Sequence, residues 1–234
     1  MSTKLELAQQ LSQEVDLAGE GPSSTVGQTG ENRNLSNWIN RAYKDIENRT
    51  LWRWMRRTAT VETTASDDTY AYTDFTDTTD AAAISRFKQW RLNDRRDPPK
   101  IYTTASGVGN ERWLVFVSWD NFKNIYKRGT QNDGAPAHIT LDPNDNIVIG
   151  PSPNDVYTIT VDYHMSPQDL LLDADIPEMP SHFHDLIVYY AMRKYAYQQL
   201  APEVLEWATS EQRRLLRRLE NEQLPRMRKS GPMA

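Results

Sequence analysis

The side chains able to do chemistry are few and poorly spaced for it. Cysteine is absent, which removes disulfides, thiol nucleophiles and Cys-ligated zinc together. The histidines are His138, His164, His182 and His184. His182 and His184 stand two apart at a predicted helix start, and positions i and i+2 do not share a helix face, so they make a poor metal pair. Asp142-Pro-Asn144-Asp-Asn146 opens like a calcium loop. Its sixth position is Ile147 and its twelfth Pro153, where such loops need Gly and Glu, so it reads as a turn. Gly107-Val-Gly109 lacks the third glycine and the strand–turn–helix setting of a nucleotide loop. Neither a nucleophile-elbow serine nor a phosphate-binding Gly-Lys-Ser/Thr occurs. Carboxylates are plentiful, but no spacing pairs two of them as acid and base. The sequence therefore predicts no catalytic residue, no metal site and no cofactor.

One mixture suits binding instead. Trp52 and Trp54 interleave with Arg53, Arg56 and Arg57, and aromatics among bases can stack nucleobases. The simpler expectation is structural: Trp at the end of an amphipathic helix joins the core, and Arg covers its rim. A second basic region runs from Glu211 to Lys229, with seven bases against three acids, whereas Thr58 to Ser85 holds six acids and no base. A sequence-independent nucleic-acid protein, using the Trp/Arg segment and the basic C-terminal helix, is thus the alternative to a purely structural role. The net charge of −5 and pI near 5.4 weigh against a dedicated duplex-DNA binder.

The elements that would carry these residues fall in the order helices, strands, helices. Residues 4–17 have Leu5, Ala8, Leu11 and Val15 at helical spacing, and Gly19 and Gly21-Pro22 stop them. Residues 19–32 read as a loop. Leu35, Trp38, Ile39, Ala42, Tyr43 and Ile46 form the clearest apolar stripe, ending near Arg49-Thr50. At Thr58 the period changes to Thr- and Tyr-rich strand composition. Strands are expected over 84–92, over the apolar run Trp113–Val117, and over 157–163, where Tyr157, Ile159, Val161 and Tyr163 alternate with polar residues. Ser118 can cap a short helix carrying Phe122, Ile125 and Tyr126. Residues 138–141 and 147–149 flank a hairpin turn. After a linker marked by Pro167, Pro177 and Pro180, Ser181 can cap a long helix. Pro202 suits the first turn of the last one, with Leu205, Ala208, Leu215, Leu216 and Leu219 on one side.

This pattern predicts an α+β fold. Residues 1–57 and 166–224 form a helical module, residues 58–165 an inserted, mostly antiparallel β-module, and residues 225–234 a flexible tail. The 234 residues suffice for such cores. No run of about 18 apolar residues could span a membrane, and the Met1-Ser2-Thr3-Lys4 start lacks a signal peptide's apolar core.

The N-terminal run Leu7-Ala-Gln-Gln-Leu11, Gly19-Glu-Gly21-Pro-Ser, Val26-Gly-Gln-Thr-Gly30-Glu, Leu35-Ser-Asn-Trp38-Ile39 and Ala42-Tyr43-Lys-Asp-Ile46 resembles the start of tailed-phage head-to-tail adaptor proteins. Ile147-Val-Ile-Gly-Pro151-Ser-Pro153, Tyr157-Thr-Ile-Thr-Val-Asp-Tyr163, Pro167-Gln-Asp-Leu170, Pro180-Ser-His-Phe183-His184 and Ile187-Val-Tyr-Tyr190-Ala191 are similar to that family's hairpin, last strand, linker and helix. The likeness covers nearly all of residues 1–200. It implies a structural neck protein of the virion, assembled in the host cytoplasm. In it a ring, typically of twelve subunits, lies under the portal, joins head to tail and tail or nozzle proteins, and passes viral DNA without specific binding. It further implies portal docking through the C-terminus, here Arg213, Arg214, Arg217, Arg218, Leu224, Pro225 and Met227.

Overall fold

A computed structural model of the protein describes residues 1–17, 21–94 and 96–225. They form an α+β fold with helices at both ends of the chain and strands between them. The chain divides into two units. One runs to Met55 and resumes at Pro167; the other is Arg56–Ser166.

The helical unit contains α1 (Lys4–Glu14), α2 (Gly30–Asn48), α4 (Asp185–Gln199) and α5 (Pro202–Gln223), with α3 lying in the other unit. Thr3 starts α1 through a reciprocal capping box: Glu6 N–H donates to Thr3 Oγ1, and Thr3 N–H to a Glu6 carboxylate oxygen at 2.8 Å. α1 buries Leu7, Ala8 and Leu11, and α2 its whole predicted stripe from Leu35 to Ile46. These meet Leu186, Ile187, Ala191 and Met192 of α4 and Ala208, Leu215, Leu216 and Leu219 of α5 in one core. α2 begins at Gly30, inside the expected loop, because its first turn is polar and shows no apolar period. The entry to α4 also departs from expectation. Ser181–Phe183 is a single 3-10 turn, and α4 begins at Asp185 after His184. His184 is buried. Its Nδ1 accepts the Ser2 N–H at 3.2 Å and its Nε2 donates to the Met179 carbonyl at 3.2 Å, so both ring nitrogens fix the chain here and a serine cap is not needed.

The β-unit is built on β10 (Tyr157–His164), which pairs antiparallel with the whole of β1 (Arg56–Glu62), from Arg56 opposite His164 to Glu62 opposite Thr158. β5 (Lys100–Thr103) and β4 (Gln89–Arg91) pair with β10, β3 (Thr76–Asp77) with β1, and β6 (Arg112–Trp113) with β5, all antiparallel. The inner face carries Ile159, Val161, Tyr163, Ala59, Trp90 and Ile101. The strand expected over 84–92 is thus confined to Gln89–Arg91.

A second sheet runs β2 (Thr69–Tyr70), β9 (Ile147–Gly150), β8 (His138–Leu141), β7 (Val115–Phe116). β7 lies parallel to β8, and the other pairs are antiparallel. The expected 113–117 strand is split because its backbone changes partners. Leu114 N–H donates to Pro99 O at 2.8 Å beside β5, and Val115 N–H to Ala137 O at 3.0 Å beside β8. Asp142 closes the β8–β9 hairpin, accepting from the N–H groups of Asn144 and Asn146, each at 2.8 Å. α3 (Trp119–Tyr126) rests on the end of β9. A Cβ on Gly150 would fall 2.6 Å from the Tyr126 ring and 2.9 Å from that of Phe122, so glycine is required for this close approach.

Candidate docking surfaces

α5 is amphipathic along its length. One side buries Ala208, Gln212, Leu215, Leu216, Leu219 and Gln223. The other presents Arg213, Arg214, Arg217 and Arg218, all exposed. Helical spacing stacks Arg213 below Arg217 and Arg214 below Arg218, and like charges at i, i+4 cost about 0.2–0.5 kcal/mol per pair. Glu211 offsets part of this by a bond to Arg214 Nε at 2.8 Å. A helix shaped for solvation alone would alternate its charges here. The face instead concentrates guanidinium groups, which suit carboxylate partners. Gln212, on the buried side, accepts from Arg193 Nη1 at 2.6 Å and ties α5 to α4.

At the end of α5 the Leu224 N–H bonds Glu220 O at 3.0 Å, and its side chain packs partly against the helical core. Pro225 is exposed, and Met227 lies outside the described residues.

Trp52 is fully buried, its Nε1 donates to Ile46 O at 2.7 Å, and Trp54 stacks on it at 4.8 Å. A ring so committed offers no face to a nucleobase. Arg56, meanwhile, bonds Asp162 and, at 2.5 Å, Asp97. This cluster is therefore structural.

The histidines are dispersed. His138 shares a 2.6 Å hydrogen bond with the Tyr126 hydroxyl, His182 pairs with Glu222 at 3.1 Å, and His164 is buried in β10. Among the described residues no three metal-ligating side chains gather. Four carboxyl groups among the described residues titrate below their ordinary value, three of them near the surface: Asp173 through bonds from Thr25 and Ser24, Glu222 through His182, and Asp94 through the Arg96 N–H. Asp77 falls as well, since burial, which opposes ionisation, is outweighed by bonds from Tyr163 and Thr79. Such carboxylates stay ionised and accept hydrogen bonds. General-acid chemistry near neutrality needs the opposite shift.

Exposed apolar side chains form the other notable surfaces. Trp113 and Val115 point outward from β6 and β7, and Leu171, Leu172 and Ile176 from the segment before α4. From sequence, the run Trp113–Val117 predicts only a strand, and the prolines around 167–180 only a linker. Three consecutive leucines in a linker, Leu170–Leu172, were the available signal that this segment has a face of its own.

No helix among the described residues is long and apolar enough to cross a membrane. No curated protein matches the chain. A family model described as SU10 adaptor protein matches residues 2–234. That match over nearly every residue, on a chain with an α+β fold, places it in the SU10 adaptor protein family: it is a phage head-to-tail adaptor, a structural component of the virion neck that associates with portal and tail proteins.

Proposed function

We propose that the protein is one subunit of a twelve-membered ring seated beneath the portal, which joins head to tail and continues the DNA channel, with no catalytic step of its own. The helical unit faces the portal, and its contact is the arginine face of α5 (Arg213, Arg217, Arg218, with Arg214) followed by Pro225 and Met227. The β-unit is an insertion between the chain segments that build the helical unit. The observation that carries this reading is the concentration of arginines on the outer side of a helix whose inner side is wholly committed to the core, within a chain matched along its length by an adaptor family. The net charge of −5 supports a lumen that lets duplex slide, since a lysine- and arginine-lined channel would hold phosphate by counterion release.

Truncation after Pro225, and separately Arg213→Glu with Arg217→Glu and Arg218→Glu, tests the docking. Both variants are expected to remain folded, because the truncation keeps every residue of the described helical core and the three arginines are exposed, and to lose association with portal-bearing heads. Wild-type association by both would place the docking element elsewhere.

A further inference from the structure

The outer face of α5 is divided by sign. Glu203, Glu206, Ser210, Arg213 and Arg217 follow one another at alternating steps of three and four residues, so they share one stripe of the helix, with Trp207 and Arg214 beside it. All of these are exposed, and the opposite side of α5 is the one that enters the core. The acids occupy the N-terminal half of the stripe and the arginines the C-terminal half, with Ser210 between them.

Neither solvation nor the helix dipole accounts for this order. A solvated helix gains by placing acid and base three or four residues apart, where they pair. Glu206 and Arg213 stand two turns apart, about 10.5 Å along the axis. Among the described residues Glu203, Glu206, Arg213 and Arg217 have no ion-pair partner, whereas Arg214 bonds Glu211. The dipole acts within the first and last turns. Arg213, Arg214 and Arg217 all lie before the last turn, which holds no base and carries Glu220 and Glu222, each turned to another part of the helical unit at Arg49 and His182.

Such a stripe is complementary to itself turned end for end. With two copies laid antiparallel and Ser210 opposite Ser210, Glu203 falls opposite Arg217, Glu206 opposite Arg214 and Trp207 opposite Arg213. Trp207 is 43% exposed and presents a ring to the guanidinium. Arg214 keeps donors for a second carboxylate beside Glu211. Ser210, the smallest side chain of the stripe, lies where the axes come closest. From this pattern we infer that free subunits pair through the outer face of α5 as a two-fold dimer, which covers the arginines until the portal takes them. The occupant is a second copy because uncompensated charges of both signs stand on one exposed stripe, in an order that inverts about its midpoint, as an isologous contact requires. A two-fold contact closes at two copies and cannot propagate round a ring, so the dimer belongs to the free subunit and opens on assembly. A single helix-on-helix contact is of the small, transient class, which suits its release. The inference rests on the reading of this face as the portal contact and adds how it is covered beforehand.

Sedimentation of the full chain over a concentration series tests the dimer. A monomer–dimer equilibrium is expected, weakened on the order of 10-fold between about 0.05 and 0.5 M salt. Glu203→Arg with Glu206→Arg, and separately Arg214→Glu with Arg217→Glu, should each give folded monomers, because like charges then face each other at exposed positions. An equal mixture of the two variants should dimerise again, since every facing pair is once more opposite in sign. Ser210→Cys, in a chain without other cysteines, should oxidise to a dimer linked to its own counterpart and lose that link when Glu203→Arg and Glu206→Arg are added. A wild-type chain that stays monomeric, or a mixture of the two variants that does, would overturn the dimer and leave the portal reading intact. Glu203→Arg with Glu206→Arg keeps the arginines and should still join portal-bearing heads. Wild-type association by the Arg213→Glu, Arg217→Glu, Arg218→Glu chain would overturn the portal reading and, with it, the covering role.

Discussion

The Tyr163 hydroxyl donates to Asp77 Oδ2 at 2.5 Å, with both residues buried. Asp77 lies on β3 and Tyr163 on β10, and β1 runs between those strands. Ala59, opposite Asp77 on β1, is small enough to leave the inner face open for a side chain to reach across. Tyr163→Phe should therefore cost about 1–3 kcal/mol by leaving a buried carboxylate short of a donor. Because Asp77 titrates below its ordinary value in the fold, its stabilisation is present above the unfolded pKa and is lost as pH falls through the folded one. Urea unfolding at neutral and acidic pH should show the deficit of Tyr163→Phe shrinking in acid.

His184 also favours its unprotonated form. Burial lowers its pKa from the ordinary 6.5, and its Nδ1 must stay unprotonated to accept the Ser2 N–H. The neutral ring's contribution is fully present above pH 6.5 and is lost as pH falls below that value towards the folded pKa. The melting temperature should drop between pH 7.5 and pH 5 by more in the wild type than in His184→Gln, which has no ring to protonate.

Trp38 packs edge-to-face on Tyr195 at 6.1 Å and is buried within the helical core. Trp38→Ala is expected to cost about 3–5 kcal/mol, measured by the urea midpoint at an unchanged slope. An unaltered midpoint would mean the stripe on α2 does not carry the fold.

Gly150→Ala puts a methyl into the Tyr126 and Phe122 rings. Overpacking of this kind costs about 1–3 kcal/mol. Thermal unfolding should report it, and Tyr126→Ala in the same chain should recover part of the loss by vacating the space nearest the new methyl.

What could be read from the sequence was what local period determines. Leu35 to Ile46 repeat as a helix must to bury one side, and all the residues of that stripe are buried. Tyr157 to Tyr163 alternate because one face of β10 meets the core, and Pro202 marks the first turn of α5. The features that escaped depend on partners distant in sequence. Trp113–Val117 looks like one strand, but its break at Leu114 comes from Pro99 and Ala137 competing for its backbone. His184 has no local mark of burial, since Ser2 and Met179 complete its bonding. The arginine face was legible too, because the spacing that puts Ala208, Leu215, Leu216 and Leu219 on one side of α5 leaves Arg213, Arg214, Arg217 and Arg218 on the other.

The central claim is a multi-copy adaptor held on the portal, and the most direct measurement is the number of copies bound to portal-bearing heads, by native mass spectrometry or symmetry-free electron cryo-microscopy. Twelve copies are expected in a ring beneath the portal, with the α5 arginine face against it. A single bound copy, or a chain that associates with free DNA and not with heads, would contradict it.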